Sequence, residues 1–250
     1  MGRESNQASA SYAMLNQDFQ VIYEDNHLLV ANKPANLLSQ GDHTGDVCLL
    51  DLAKAYIKEK YQKPGNVFLE LVHRLDRPTS GILCMARTSK ALERLQEQFR
   101  KRTVEKFYFA LVEPAPDRDQ AYLEHYHWKD RNLNRVFIWD QPEHQDAVKV
   151  RMEYRTVAIV KGMAVVQIKL HTGKSHQIRA QLAHIGSPIV GDEKYGNRTE
   201  SQYTRSLALH ACELRIDHPV KGERLALFAP PPAEEPWLRF NNFTTETTYF

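Results

Sequence analysis

The chain has 250 residues, 42% hydrophobic and 26% charged, with 33 Lys and Arg against 31 Asp and Glu for a formal net charge of +2. A chain of this length can bury roughly 70 to 75% of its unfolded surface, and the composition excludes a wholly disordered, collagen-like or coiled-coil protein. The longest apolar stretches, such as Gly81 to Ala86, fall far short of the ~20 residues a spanning helix needs, so no membrane helix is expected.

In chain order, residues 1–17 are rich in Ser, Asn and Gln and read as a flexible leader without the basic-then-apolar order of a signal peptide. Cys48, Cys84 and Cys212 form no CxxC pair, which points to reduced thiols in a cytoplasmic protein. Phe19 to Tyr23 and His27 to Ala31 give a hairpin signal around Glu24, Asp25 and Asn26. Asp46 is expected to cap a helix with Leu49, Leu52, Ala53, Tyr56 and Ile57 at helical spacing, ending near Pro64 and Gly65. Val67 to Val72 and Ile82 to Ala86 read as strands, and Thr88 or Ser89 as the cap of a helix presenting Ala91, Leu92, Leu95 and Phe99.

Val104 to Val112, Tyr122 to Trp128, Arg135 to Trp139, Val148 to Val160 and Ala164 to Leu170 are strand-like runs with few helical signals between them, a pattern that favours an antiparallel sheet. Ser175 is expected to cap a helix through Ile178, Leu182 and Ile185, closed by Gly186. Ser206 to Ile216 and Leu225 to Phe228 alternate as strands, and the prolines at 230 to 232 end the strand structure. The simplest account is a mixed α/β (α+β) chain: leader 1–17, one domain over 18–235 and a C-terminal tail over 236–250.

Charge is uneven. Arg87 to Lys106 holds seven basic and three acidic residues, and Tyr154 to Gly191 holds five basic residues and no acid. Brought together, the two segments would face phosphates; apart, they are solvated faces. The densest polar stretch is His73-Arg74-Leu75-Asp76-Arg77-Pro78-Thr79-Ser80-Gly81. An Asp between two arginines before a turn is held ionised and suits a nucleophile or base, and equally suits a turn cap.

This stretch resembles the HRLDRxTSG signature of the RluA-type family of RNA pseudouridine synthases. Further segments resemble that family in the same order: Asn32-Lys33-Pro34, Lys106 to Val112 (KxYxALV), Gly173 to Arg179 (GRxHQIR), Gly191 to Gly196 (GDxxYG) and Leu209-His210-Ala211. The resemblance covers roughly residues 19 to 230. It implies a long, bent, mostly antiparallel sheet with flanking helices around a central basic cleft, and the isomerisation of uridine to pseudouridine in rRNA or tRNA.

Carried over by position, Asp76 is the implied nucleophile, Tyr108 the active-site tyrosine and Arg179 the arginine paired with Asp76. Arg74 is implied to fill the space left by a flipped nucleotide, and Arg77, Thr79, Lys174, His176 and Gln177 to bind substrate. Two positions depart from the pattern. Lys174 replaces an arginine and loses its fork, and Asn36 replaces a glycine, where asparagine tolerates a left-handed turn. With so little chain before these motifs, RNA is expected to be held by the catalytic domain itself.

No cofactor is expected, since no GxGxxG or GxxxxGK[ST] loop is present, and no metal, since there is no HExxH and no evident third ligand for His125 and His127 or for His171 and His176. A monomer acting on an RNA stem-loop is the expectation. The competing classes are a noncatalytic RNA-binding protein on the same scaffold and a glycoside hydrolase, for which the signature segment lacks a second carboxylate.

Overall fold

A computed structural model describes residues 19–196, 206–240 and 250. The leader expected over 1–17, and residues 241–249 of the expected tail, lie outside the described residues. The architecture is mixed α and β, with mostly antiparallel strands and three α-helices among the described residues. The chain divides into two compact units, Met1–Val104 with Ile216–Ala229, and Glu105–Arg215 with Pro230–Phe250.

In the first unit, β1 (Gln20–Glu24) and β2 (Leu28–Lys33) form the hairpin anticipated from the sequence. The Asp25 carboxylate closes its turn by accepting the His27 and Leu28 N–H groups at 2.8 and 2.9 Å. β2 pairs antiparallel with β4 (Ser80–Ala86), every residue of which is buried. A strand buried throughout needs a continuous apolar run, which is what Ile82 to Ala86 supplies.

The strand expected over Val67 to Val72 shortens to β3, Glu70–Leu71. It stops because the Cys84 N–H, which an extended ladder would present to Val72, is taken by the His73 ring at 3.0 Å. Helix α1 (Leu49–Lys60) buries Leu49, Ala53 and Ile57, but its N-cap is Cys48, not Asp46. Asp46 pairs with Arg77 at 2.7 Å instead. Helix α2 (Ser89–Lys101) starts as expected, with the Thr88 hydroxyl accepting the Ala91 N–H.

The second unit is built on β5 (Glu105–Val112), β6 (Gln120–Asp130), β7 (Arg135–Trp139), β8 (Val148–Val160), β9 (Met163–Leu170) and the start of β10 (Leu209–Asp217). They hydrogen-bond in the order β10-β5-β9-β8-β6-β7, antiparallel at every step. Tyr108 on β5 stands opposite Ile168 on β9, which stands opposite Tyr154 on β8. Strand β11 (Arg224–Phe228) belongs to the first unit.

Helix α3 (Gln177–His184) begins at His176, which adopts φ 52° and makes no side-chain cap bond; Ser175 is not the cap. The Ser175 carbonyl faces the His127 ring at 3.0 Å, and the Gln177 side chain holds the Lys174 N–H of the preceding loop at 3.2 Å. The C-terminus follows the sequence reading. Gly186 sits at φ 82°, its N–H reaches the Ala183 carbonyl, and the Ser187 N–H reaches Leu182, the paired bonds of a Schellman motif.

Candidate active site

Asp76 lies in the first unit on a loop tied down at nearly every residue. His73 stacks on Phe99 with ring centroids 5.2 Å apart, besides binding the Cys84 N–H. Leu75 is fixed through Ser39, whose hydroxyl donates to the Leu75 carbonyl at 2.8 Å and accepts its N–H at 3.2 Å. The Asp76 carbonyl accepts the Thr79 N–H at 3.0 Å, closing the turn, and Thr79 and Ser80 are buried. Arg77 reaches the Asn36 carbonyl as well as Asp46. Asn36 has φ 66°, the left-handed turn its residue type anticipated. Between these fixed neighbours Arg74 is exposed and Asp76 half-buried.

Lys33 holds the underside of this loop. Its ammonium donates to the carbonyls of Pro34 at 2.9 Å, Leu37 at 2.7 Å and Arg77 at 3.1 Å, and the residue is wholly buried. Three carbonyl acceptors use all three protons of a charged lysine. Burial pulls its pKa down to about 7, opposed by the charge of Asp76 and assisted by that of Arg77. The sequence reading placed Lys33 in a motif without a task. A lysine ending a buried strand was the available signal, since such a residue requires a partner.

The second unit holds Tyr108, Lys174, His176, Gln177 and Arg179. Tyr108 is buried on β5. Arg179 is buried on α3, and its Nε and Nη2 donate to Asp192 Oδ2 and Oδ1 at 2.8 and 2.7 Å. Asp192 Oδ1 also accepts the Lys194 and Tyr195 N–H groups, both at 3.0 Å. The turn closes so tightly that a Cβ at Gly196 would come within 2.5 Å of the Asp192 carbonyl, which is why the segment ends in glycine.

The Tyr195 ring lies between two guanidinium groups, 5.2 Å from Arg179 and 5.5 Å from Arg135. Its hydroxyl accepts the Val136 N–H at 2.8 Å and lies 2.8 Å from His176 Nδ1. Burial raises the Tyr195 pKa, so the phenol keeps its proton. Asp192 and Tyr195 were legible only as members of a motif; that a buried arginine needs a buried counter-charge was the missed signal.

Gln177 is buried with its amide fully used. Oε1 accepts from the Thr172 hydroxyl and the Lys174 N–H, and Nε2 donates to the Arg151 carbonyl and to Gln181 Oε1. The Lys174 N–H can only donate and the Arg151 carbonyl only accept, so the chain has a fixed direction and Gln181 Nε2 donates to His125 Nδ1 at 2.9 Å. His125 does not share a metal-capable group with His127. Among the described residues, the one group of three such side chains is His125, Asp140 and His184, with ligand atoms within 4.8 Å of one another. Because His125 Nδ1 accepts, the proton of the neutral ring sits on Nε2, the nitrogen facing Asp140 at 3.6 Å, and blocks it as a metal ligand. Burial, then the charge of His184, lowers the His125 pKa and favours that neutral ring. None of the helices among the described residues is long and apolar enough to cross a membrane.

The chain is similar in sequence and in fold to known proteins. Residues 27–184 match the family model described as RNA pseudouridylate synthase. The chain is 33% identical over 222 residues to the ribosomal large subunit pseudouridine synthase C of Vibrio cholerae, a match over 84% of this chain and 65% of that protein. It therefore spans about two thirds of the length of such relatives. It is 30% identical over 233 residues to the dual-specificity RNA pseudouridine synthase RluA of Vibrio parahaemolyticus, covering 90% of this chain and 89% of that protein. The fold matches that of human RNA pseudouridylate synthase domain containing 4, with a TM-score of 0.73 at 24% identity over 92% of this chain and 94% of the other. The chain belongs to the RluA-type family of RNA pseudouridylate synthases.

Proposed function

We propose that this protein converts uridine to pseudouridine in RNA. The observation that carries the reading is the immobilised loop around Asp76, fixed by Lys33, Ser39 and His73 within the segment that resembles the family signature. A group that must act on one bond of a bound nucleotide needs such preorganisation, because small displacements of a catalytic group cost large factors in rate.

In the net reaction the bond between uracil N1 and sugar C1′ breaks and a bond between C5 and C1′ forms. C5 gives up its proton and N1 gains one, so the chemistry balances without a cofactor. Asp76 acts as the anionic catalyst, and Arg179 is the arginine that the family resemblance implies for the chemistry. Tyr108 offers a ring face to the uracil and a hydroxyl for the proton leaving C5. The base leaves its stack to reach this site, and Arg74 fills the gap. Arg77, Thr79, Lys174, His176 and Gln177 serve substrate binding, Gln177 by holding the Lys174 loop in shape.

The substrate class is a stem-loop of large-subunit ribosomal RNA, the RNA named for the synthase C relatives. Transfer RNA is the second reading, carried by the family resemblance, and a relative matched over 89% of its length is named dual-specificity. The protein acts as a cytoplasmic monomer. Comparing pseudouridine maps of rRNA and tRNA from cells with and without the gene tests this: a uridine modified only when the gene is present supports it. Identical maps, together with RNA binding by the pure protein, would instead favour a noncatalytic RNA-binding protein.

A further inference from the structure

The end of β6, the turn into β7 and the loop before α3 enclose a cleft of about 700 Å³ within the second unit. Its walls include His127, Trp128, Lys129, Arg131, Asp146 and Lys174. None of the hairpin residues falls in the basic segments 87–106 and 154–191 noted in the sequence.

The walls are rigid. His127 fastens the strand to the Ser175 carbonyl, and Gln177 holds the Lys174 N–H. Asp130 Oδ1 accepts the Asn132 and Leu133 N–H groups, fixing the turn that carries Arg131. The Trp128 ring stacks on His144 at 4.1 Å with 21° between planes. A cleft held open by such contacts keeps its shape without a ligand.

The walls are also positive. Three cations, Lys129, Arg131 and Lys174, line the cleft with two acids, Asp130, whose oxygen already serves two N–H groups, and the exposed Asp146. No ion pair joins any of the three cations to an acid among the described residues. Beyond the cleft Lys194 has Arg179, Lys129 and Arg135 as charged neighbours, and burial and those cations lower its pKa against the opposing charge of Asp192. Like charges gathered on a fixed frame repel, and a polyanion relieves the repulsion.

We propose that this cleft is an RNA-backbone site, in which Lys129 and Arg131 of the β6–β7 hairpin, together with Lys174, bind phosphates of a single-stranded stretch of the substrate. The proposal rests on the RNA reading above and adds to it a surface on the hairpin.

The test uses the full chain and a fluorescein-labelled RNA stem-loop with a uridine-rich loop, its binding followed by anisotropy across a potassium chloride series. Changing Lys129→Gln and Arg131→Gln together should weaken binding about tenfold or more and flatten the log-log salt slope by roughly 1.4 to 1.8, the share of two phosphate contacts. The charge-keeping pair Lys129→Arg and Arg131→Lys should retain affinity and slope. Asp146→Asn, which removes a negative wall, should tighten binding, and this opposite sign keeps the proposal testable if the glutamine pair folds poorly. A glutamine pair that melts like the wild type and binds with unchanged affinity and slope overturns the cleft assignment, as does an Asp146→Asn variant that binds no tighter. Tritium release from the same RNA labelled at uracil C5 separates the two readings. Release by the wild type with a silent hairpin rejects the cleft alone, whereas a wild type that neither binds nor releases rejects the RNA function and the cleft with it.

Discussion

Asp192 grips Arg179 at two points, Nε to Oδ2 and Nη2 to Oδ1, with the Asp192 side chain fully sealed from solvent. A bidentate pair of this kind fixes the plane and direction of the guanidinium. It presets the direction of Arg179 through a residue 13 positions later in the chain.

Removing one partner leaves the other as an isolated buried charge. Asp192→Ala should therefore destabilise the protein by about 3 to 5 kcal/mol. Arg179→Met should cost a similar amount by stranding Asp192. Urea denaturation gives the number, and a loss below 1 kcal/mol in both variants would show the pair to be replaceable.

Lys33 makes stability depend on pH in a definite direction. Its folded-state pKa, about 7, lies below the ordinary 10.5, so unfolding takes up a proton between those values. The contribution of this group to stability therefore rises with pH from about 7 towards 10.5. Wild type should gain more stability than Lys33→Met between pH 7 and pH 9, measured by urea midpoints, and parallel curves would contradict the assignment. Lys33→Met should also speed hydrogen exchange at Leu75 and Thr79, whose loop it supports.

Asp25 gives the opposite sign. Burial works against its ionisation, but the His27 N–H, His218, the Leu28 N–H and Tyr23 outweigh it and hold the pKa at about 2. The stabilisation is present above the ordinary value of 3.8 and is lost as pH falls through 2. Asp25→Ala should cost about 1 to 3 kcal/mol at pH 7, because it strips a charged acceptor from buried His218. The gap from wild type should close in acid, and a gap constant down to pH 2 would refute the charge-based account.

Gln177→Ala should loosen the segment from Thr172 to His176 by taking the side-chain acceptor from the Lys174 N–H and from the Thr172 hydroxyl. The expected loss is about 1 to 3 kcal/mol, together with weaker RNA binding through a displaced Lys174. Gln177→Glu keeps the acceptor oxygen but loses the donor to Arg151 and Gln181, so it should recover only part of the stability. A fully stable Gln177→Ala variant would deny the glutamine its structural task.

What the sequence made legible were features written into local pattern. Period-two and period-3.6 runs located the strands and helices, Thr88 announced its helix, and Asn36 and Gly186 announced left-handed turns. The misreadings came where a polar group's partner lay far along the chain. Asp46 looked like a helix cap but answers Arg77, and Ser175 looked like another, but its carbonyl faces His127 and the helix begins at His176. The strand before the Asp76 loop stops early because a histidine ring, not a backbone carbonyl, takes the Cys84 N–H. Asp76 could be singled out from its segment, whereas the positioning roles of Lys33, Asp192 and Tyr195 depend on burial, which no single position reveals.

The central claim is that the Asp76 carboxylate performs the chemistry, and release of tritium from RNA labelled at uracil C5 tests it directly. Asp76→Asn keeps the size of the side chain and removes its charge. The variant should bind the labelled RNA within about twofold of wild type, since phosphate contacts dominate RNA affinity, while its tritium release falls to background. Release near the wild-type rate from a correctly folded Asp76→Asn protein would contradict the assignment.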